Sequence, residues 1–286
     1  MLKSDIKQAI NRYHFLVETL FTINEKVYAA FKEDMRWFSF APRIVIKFLN
    51  QALTLKMLFN EKQIELPDKS VKSFEDLSAI YAILRMQFET HALFYHLFIP
   101  SGDMEENIIR FRLWELDGVR GRIKTTAIPN AKLVADQNYL GIIEQAITSL
   151  RYYRNLEAKT QKFLMDNACW RFSSESLKAK QLRPISYDQL IKGTGIKQSI
   201  FANLYAHLST HTHPGYVGVV QSCSLTEDET TIGRYVAIMN ACFVTSFMIE
   251  DLAKRFTQGT EYMNGLSEND RAVYESIRNG GRNNNN

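Results

Sequence analysis

Only six prolines punctuate the 286 residues, at positions 42, 67, 100, 129, 184 and 214, and stretches with a helical apolar period fill the intervals. Proline fixes φ and removes a backbone donor, so it marks helix ends. Thirteen glycines add few turn-formers, and the two residue types together reach about half the roughly 12% of an average chain. That leaves too little material for the many tight connections of a sandwich or barrel. An apolar share of 45% is too high for a disordered chain. The expected class is all-α, a helical bundle of about eight helices forming one domain over 1–278. Within it, an N-terminal helical pair (1–62) would pack on 68–278, ahead of a disordered tail, 279–286.

The apolar spacing places the helices. Ser4 caps a first helix to about Phe31, with Ile6, Ile10, Tyr13, Leu16, Val17, Leu20 and Ile23 as its buried stripe. Pro42 opens a second, Arg43–Lys62, where a missing N–H is harmless. Leu66-Pro67-Asp68 reads as a loop, and Ser73 as the start of a third helix, Phe74–Ile99. Asp103 caps a fourth from Met104 to about Lys124. The 55 positions between Pro129 and Pro184 predict one long helix, Lys132–Asn167, then a polar loop, Ser173–Arg183. Further helices are expected over Ser186–Lys192, closed by Gly193-Thr-Gly195, then Ile196–Thr212, Glu227–Phe256 and Leu266–Arg278.

Several function classes drop out. No GxxxxGK[ST], GxGxxG, GxSxG or HExxH signature is present. A net charge of +4 permits nucleic acid without requiring it. Cys169, Cys223 and Cys242 are odd in number and form no CxxC pair, which argues against a disulfide framework and fits a reducing cytoplasm. The first residues lack the apolar core of a secretory signal. The most apolar run, Val236–Ile249, is interrupted by Asn240, Thr245 and Ser246. It falls short of the about 20 apolar residues a membrane span needs, so no membrane association is expected.

Two segments carry candidate chemistry. In Tyr81–His96, Arg85 and Glu89 lie four apart and share a helix face among apolar neighbours. Such a pair serves either to hold neighbouring helices in register or to present a guanidinium. In the second segment, Tyr205, Ser209 and His213 recur every four residues, and Pro214 stops the helix directly afterwards. A hydroxyl one turn before an imidazole sets its tautomer, as in a general acid–base pair or a satisfied core histidine. His207 and His211 form an HxxxH pair on a neighbouring stripe, but no sequence-local carboxylate completes a ligand set. No metal site and no cofactor are expected.

The order Leu84-Arg85-x-x-Phe88-Glu89, then Tyr205-x-x-Leu208-Ser209-x-x-x-His213-Pro214 about 115 residues on, resembles a bacterial all-helical family known only as a domain of unknown function. That family is itself compared with the HEPN superfamily (higher eukaryote and prokaryote nucleotide-binding). The resemblance spans about residues 40–257. It implies a partly HEPN-like fold and, in toxins and antiviral effectors, RNA cleavage without metal by an arginine and a nearby histidine at a dimer interface. Arg85-x5-His91 has that spacing. Six residues along a helix turn about 600°, however, which puts the two side chains on different faces. Met86 also stands where the superfamily usually has a polar residue. The preferred catalytic set is therefore Arg85, Glu89, Ser209 and His213 across two helices.

In that reading His213 is base or acid for attack of a 2′-hydroxyl on the adjacent phosphate, and Arg85 holds phosphate oxygens. Glu89 orients Arg85, while Ser209 and Tyr205 orient His213 or the substrate. Arg110 and Arg112, with Arg120, Arg122 and Lys124 beyond them, are candidates to track an RNA backbone, as are Arg151 and Arg154, with Tyr152 and Tyr153 to stack on bases. The expected function is a HEPN-like ribonuclease or RNA-binding effector of a prokaryotic stress or antiviral defence system, acting as a homo-oligomer. The alternative is a non-catalytic interaction or scaffold subunit of a larger defence complex, bound to a partner protein.

Overall fold

The structure is a computed structural model and describes residues 2–31, 37–60, 62–99, 103–125, 131–212 and 215–283. The described residues are all-α apart from one short hairpin. Helix α1 (Leu2–Phe31) follows the apolar stripe: Ile6, Tyr13, Leu16, Val17, Leu20 and Ile23 are all buried. A 3-10 turn, Trp37–Phe40, leads into α2 (Ala41–Leu58), with Pro42 in its first turn as anticipated. Strands β1 (Lys62–Glu65) and β2 (Val71–Phe74) then pair antiparallel, with Lys62 opposite Phe74 and Glu65 opposite Val71. The Asp68 carboxylate fixes their turn by accepting from the Ser70 amide (3.0 Å) and hydroxyl (2.6 Å). The third helix, α3 (Leu77–Phe98), therefore starts three residues later than expected, capped by Asp76 Oδ1, which accepts from the Ala79 amide at 2.9 Å.

Helix α4 (Met104–Thr125) is capped by Asp103 as expected, and it carries Gly118 and Gly121 without a break. The single long helix expected over 132–167 is instead three: α5 (Ala131–Ser149), α6 (Arg151–Arg154) and α7 (Ala158–Asp166). Leu150 and Glu157 are extended, at ψ 134° and 143°. Distant side chains satisfy the freed backbone: Glu105 accepts from the Tyr152 amide at 2.6 Å, and the Gln161 amide donates to the carbonyls of Tyr153, Arg154 and Leu156. Ser173 forms a capping box with Ser176 and starts α8 (Ser174–Lys178), inside the expected loop. Helix α9 (Tyr187–Lys192) ends where Gly195, at φ 81°, takes the left-handed conformation.

The helix expected over 196–212 breaks at Ala202-Asn203 into α10 (Gln198–Phe201) and α11 (Leu204–Thr212), and an unforeseen α12 (Tyr216–Ser224) follows. Thr226 and Glu229 form a capping box for α13 (Glu227–Arg255), and α14 (Thr257–Asn264) and α15 (Glu268–Gly281) close the order. The described residues thus hold fifteen α-helical segments rather than about eight, through breaks at 150–157 and 202–203 and the additional α8, α12 and α14. The tail expectation also fails over 279–283: Gly281 ends a helix, Arg282 is buried, and the Asn283 amide donates to the Gly195 carbonyl at 3.0 Å.

The chain divides into two compact units, residues 1–95 with 191–286, and residues 96–190. In the first, α1 packs between α2 and α13, and α14 and α15 pack on α13. Gly259 makes the α14 contact possible, since a Cβ there would lie 2.7 Å from the Ala253 backbone. Helix α13 is long and apolar enough to span a membrane, yet 83% of its most apolar window is buried inside the protein, as in a core helix. The second unit is built on the packing of α4 with α5 and α6, around Phe98, Phe111, Leu116 and Ile147.

Candidate functional site

Helices α3 and α11 bring together three of the residues singled out in the sequence. Arg85 Nε donates to Glu89 Oε1 at 2.9 Å, as their i, i+4 spacing required. The Tyr205 hydroxyl donates to the same carboxylate oxygen at 2.8 Å and accepts from Arg85 Nη2 at 3.2 Å. The guanidinium also lies 5.1 Å from the centre of the Tyr205 ring. This closed triangle is only half-buried: the Arg85 and Glu89 side chains keep 24% and 25% of their surface in solvent. Burial alone would lower the Arg85 guanidinium, but Tyr205 and Glu89 outweigh it and hold it charged. Burial, then the bond to Glu89, pushes the Tyr205 phenol up and keeps it a donor. Arg85 Nη1 makes no hydrogen bond to another described residue, so part of the fork remains open to an anion.

The remainder of the expected set is not assembled in the same way. Ser209 is half-buried, and its hydroxyl donates to the Tyr205 backbone carbonyl one turn back at 2.8 Å, so its proton is not directed at an imidazole. His213 and Pro214 lie outside the described residues. His207 and His211 face each other at 4.5 Å between ring centres, and each meets the Tyr81 ring, at 5.0 and 5.1 Å. No third His, Cys, Asp or Glu joins them as a ligand set among the described residues. The Arg85-x5-His91 arrangement does not form a site. As the helical rotation dictates, His91 turns into the core and bonds Asp251 instead.

Four of the proposed RNA-tracking arginines, Arg110, Arg112, Arg120 and Arg122, are bonded to other residues, the last two to Glu144 with the Met165 carbonyl and to Asp136. Arg110 is buried and ion-paired with Glu106, and it donates to the His96 carbonyl at 3.3 Å. A guanidinium held that way cannot follow a backbone, which corrects the expectation for Arg110. Glu106 is shared further, accepting from the Ser174 amide (3.1 Å) and hydroxyl (2.7 Å). Arg112 pairs with Glu115 at 2.7 Å. Arg151 and Arg154 are exposed. Tyr153 is buried and so does not stand free for stacking, which corrects that expectation, whereas Tyr152 is half-buried with its hydroxyl 2.8 Å from Ser174 Oγ.

Sequence reasoning missed the most elaborate polar cluster altogether. Arg282, buried, donates to Asp251 Oδ1 (2.8 Å) and Oδ2 (3.1 Å), to Glu250 Oε2 (2.7 Å) and to the Thr194 carbonyl (2.9 Å). Asp251 Oδ2 lies 2.8 Å from His91 Nε2, and Arg278 donates to Glu250 at 2.6 Å. Burial would raise the Glu250 carboxyl, but Arg278, Arg282 and Lys254 outweigh it and lower it to about 2. Every charge in the cluster has a partner of opposite sign, which is the requirement for burying it. The one available signal was an arginine inside a stretch whose glycines and asparagines otherwise read as disordered.

Compared with protein-family models, curated proteins and solved structures, the chain matches none of them.

Proposed function

We propose that the α3–α11 face is the working site of a metal-independent ribonuclease or RNA-binding effector, of the kind found in prokaryotic stress and antiviral defence, acting in the cytoplasm as a homo-oligomer. The observation that supports this reading is the convergence of Arg85, Glu89 and Tyr205, from helices 116 residues apart in sequence, at a half-open surface. Helix α11 ends at Thr212, the residue before His213 in sequence. In this reading His213 removes the 2′-hydroxyl proton as that oxygen attacks phosphorus. The bond to the 5′ oxygen breaks, a proton is returned to it, and a 2′,3′-cyclic phosphate and a 5′-hydroxyl result. Arg85 Nη1 binds a phosphate oxygen, Glu89 and Tyr205 fix the plane of the guanidinium, and Ser209 steadies the turn that leads to His213.

The test is cleavage of single-stranded RNA in chelator by the wild type, His213→Ala and Arg85→Ala. A folded His213→Ala protein with at least about a hundredfold lower rate supports the reading. Undiminished cleavage by that variant overturns it.

The exposed apolar face of α12 favours the second reading, a non-catalytic subunit that docks a partner protein. Tyr216, Val219 and Val220 are 84%, 50% and 44% exposed. Under that reading the wild type cleaves nothing, and His213→Ala lowers the melting temperature instead.

A further inference from the structure

A cavity of about 610 Å³ opens between the start of α3, α11 and the first turns of α13. Small-molecule sites typically measure about 300–1,000 Å³. Its deep wall is the buried Tyr81 ring with the imidazoles of His207 and His211 packed against it. Gly233 lets the Tyr81 hydroxyl in: a Cβ there would lie 2.8 Å from that oxygen. Leu77, Ile232 and Val236 add apolar surface.

The charges are one-sided. Glu75, Asp76 and Glu229 line the cavity, and no Lys or Arg does among the described lining residues. Glu75 is neutralised by its ion pair with Arg234, whereas Asp76 and Glu229 bond only backbone and hydroxyl donors at helix starts. Burial lowers both imidazoles, and His207 lowers His211 further, so neither supplies a compensating positive charge at pH 7.

An aromatic wall, apolar sides and two uncompensated carboxylates suit one chemistry. We propose that this cavity binds a small organic cation, an ammonium or amidinium on an apolar or aromatic body. The body rests on Tyr81, His207 and His211, and the charge faces Asp76 and Glu229. The complementarity excludes anionic ligands, so this site is distinct in kind from one that holds phosphate.

The experiment titrates the full chain with benzylamine, benzyl alcohol and benzoate, which share a ring and carry charges of +1, 0 and −1 at pH 7. Calorimetry gives affinity, and NMR of the histidine rings locates the site. Expected is a ranking of cation over alcohol over anion, with shifts at His207 and His211, and a weaker shift at His207 in His211→Leu. Asp76→Asn with Glu229→Gln keeps both helix caps, since Asn and Gln serve in those positions. The double variant should lose about tenfold in benzylamine affinity and leave benzyl alcohol unchanged. Benzoate binding as tightly as benzylamine, no saturable benzylamine binding at millimolar concentration, or indifference of the ranking to the double variant would each overturn the proposal. Unchanged far-UV circular dichroism in the variants separates these outcomes from misfolding.

Discussion

Arg85–Glu89 on α3 and Glu106–Arg110 on α4 are the same pairing at the level of sequence, opposite charges four residues apart on one helix. Their surroundings make them different devices. The α4 pair keeps only 5% and 4% of its side-chain surface, and Glu106 is bonded again by the Ser174 amide and hydroxyl. The α3 pair keeps about a quarter of its surface and adds one phenol. Spacing makes an ion pair in both places, but burial decides whether removing a partner strands a charge in the core or merely returns one to water.

That contrast is sharpest under mutation. Glu106→Ala leaves the Arg110 guanidinium buried against a backbone carbonyl, and about 3–5 kcal/mol of stability should be lost. Urea unfolding would read this as a large fall in midpoint, and a loss below about 1 kcal/mol would show that water reaches Arg110. Acid should discriminate next. Burial, reinforced by the Arg110 charge, lowers His96 to about 3, and its Nε2 donates to the Trp170 carbonyl at 3.0 Å. An unfolded histidine titrates near 6.5. Between those values the unfolded chain binds the proton and the folded chain does not. Stability is therefore full above pH about 6.5 and falls as pH drops toward 3. His91, lowered by burial, adds a loss of the same sign. Glu250, lowered from 4.5 to about 2, adds a further loss between those two pH values. His96→Gln, which retains a donor for Trp170, should flatten the upper part of the profile.

Arg85→Ala should destabilise by only about 1 kcal/mol or less, because the freed Glu89 is partly hydrated. A melting temperature lowered as much as by Glu106→Ala would make the two pairs equivalent and remove the argument for an open site. The smallest effect expected is the coupling itself. A double-mutant cycle on Arg85 and Glu89 should give about 0.5 kcal/mol at low salt and less at 1 M. A salt-independent value above about 2 kcal/mol would show the triangle to be sealed from solvent.

Elements that depend on local signals were legible. Helices α1 and α13 follow from long apolar runs, although Ser4, expected as the cap of α1, lies inside a helix that begins at Leu2, and Arg85–Glu89 follows from helix rotation alone. Tyr205 was picked out by its four-residue repeat with Ser209 and His213. What escaped depended on residues far apart. Nothing near Leu150 announces a break, because the carboxylate that accepts from Tyr152 belongs to Glu105, 47 residues earlier. The hairpin at 62–74 was hidden because each strand is only four residues long. Arg110 read as a surface cation because its carboxylate partner is one turn away, whereas the His96 carbonyl and the Phe172 ring that help bury it are brought in only by folding. The His91–Asp251–Arg282 cluster spans 160 and 31 residues of sequence, distances over which apolar period carries no information.

That cluster has a consequence for synthesis. On a ribosome, His91 is made long before Asp251, and Asp251 before Arg282, so the last donor of the network arrives almost two hundred residues after its first member. Residues 96–190 are contiguous and hold the described partners of their own buried pair, His96, Glu106, Arg110 and Ser174, well before the chain is complete. The unit that surrounds them in sequence does not. Until Arg282 is made, the Glu250 and Asp251 carboxylates on α13 lack the guanidinium that joins them, although α1, made first, already exists to pack on that helix.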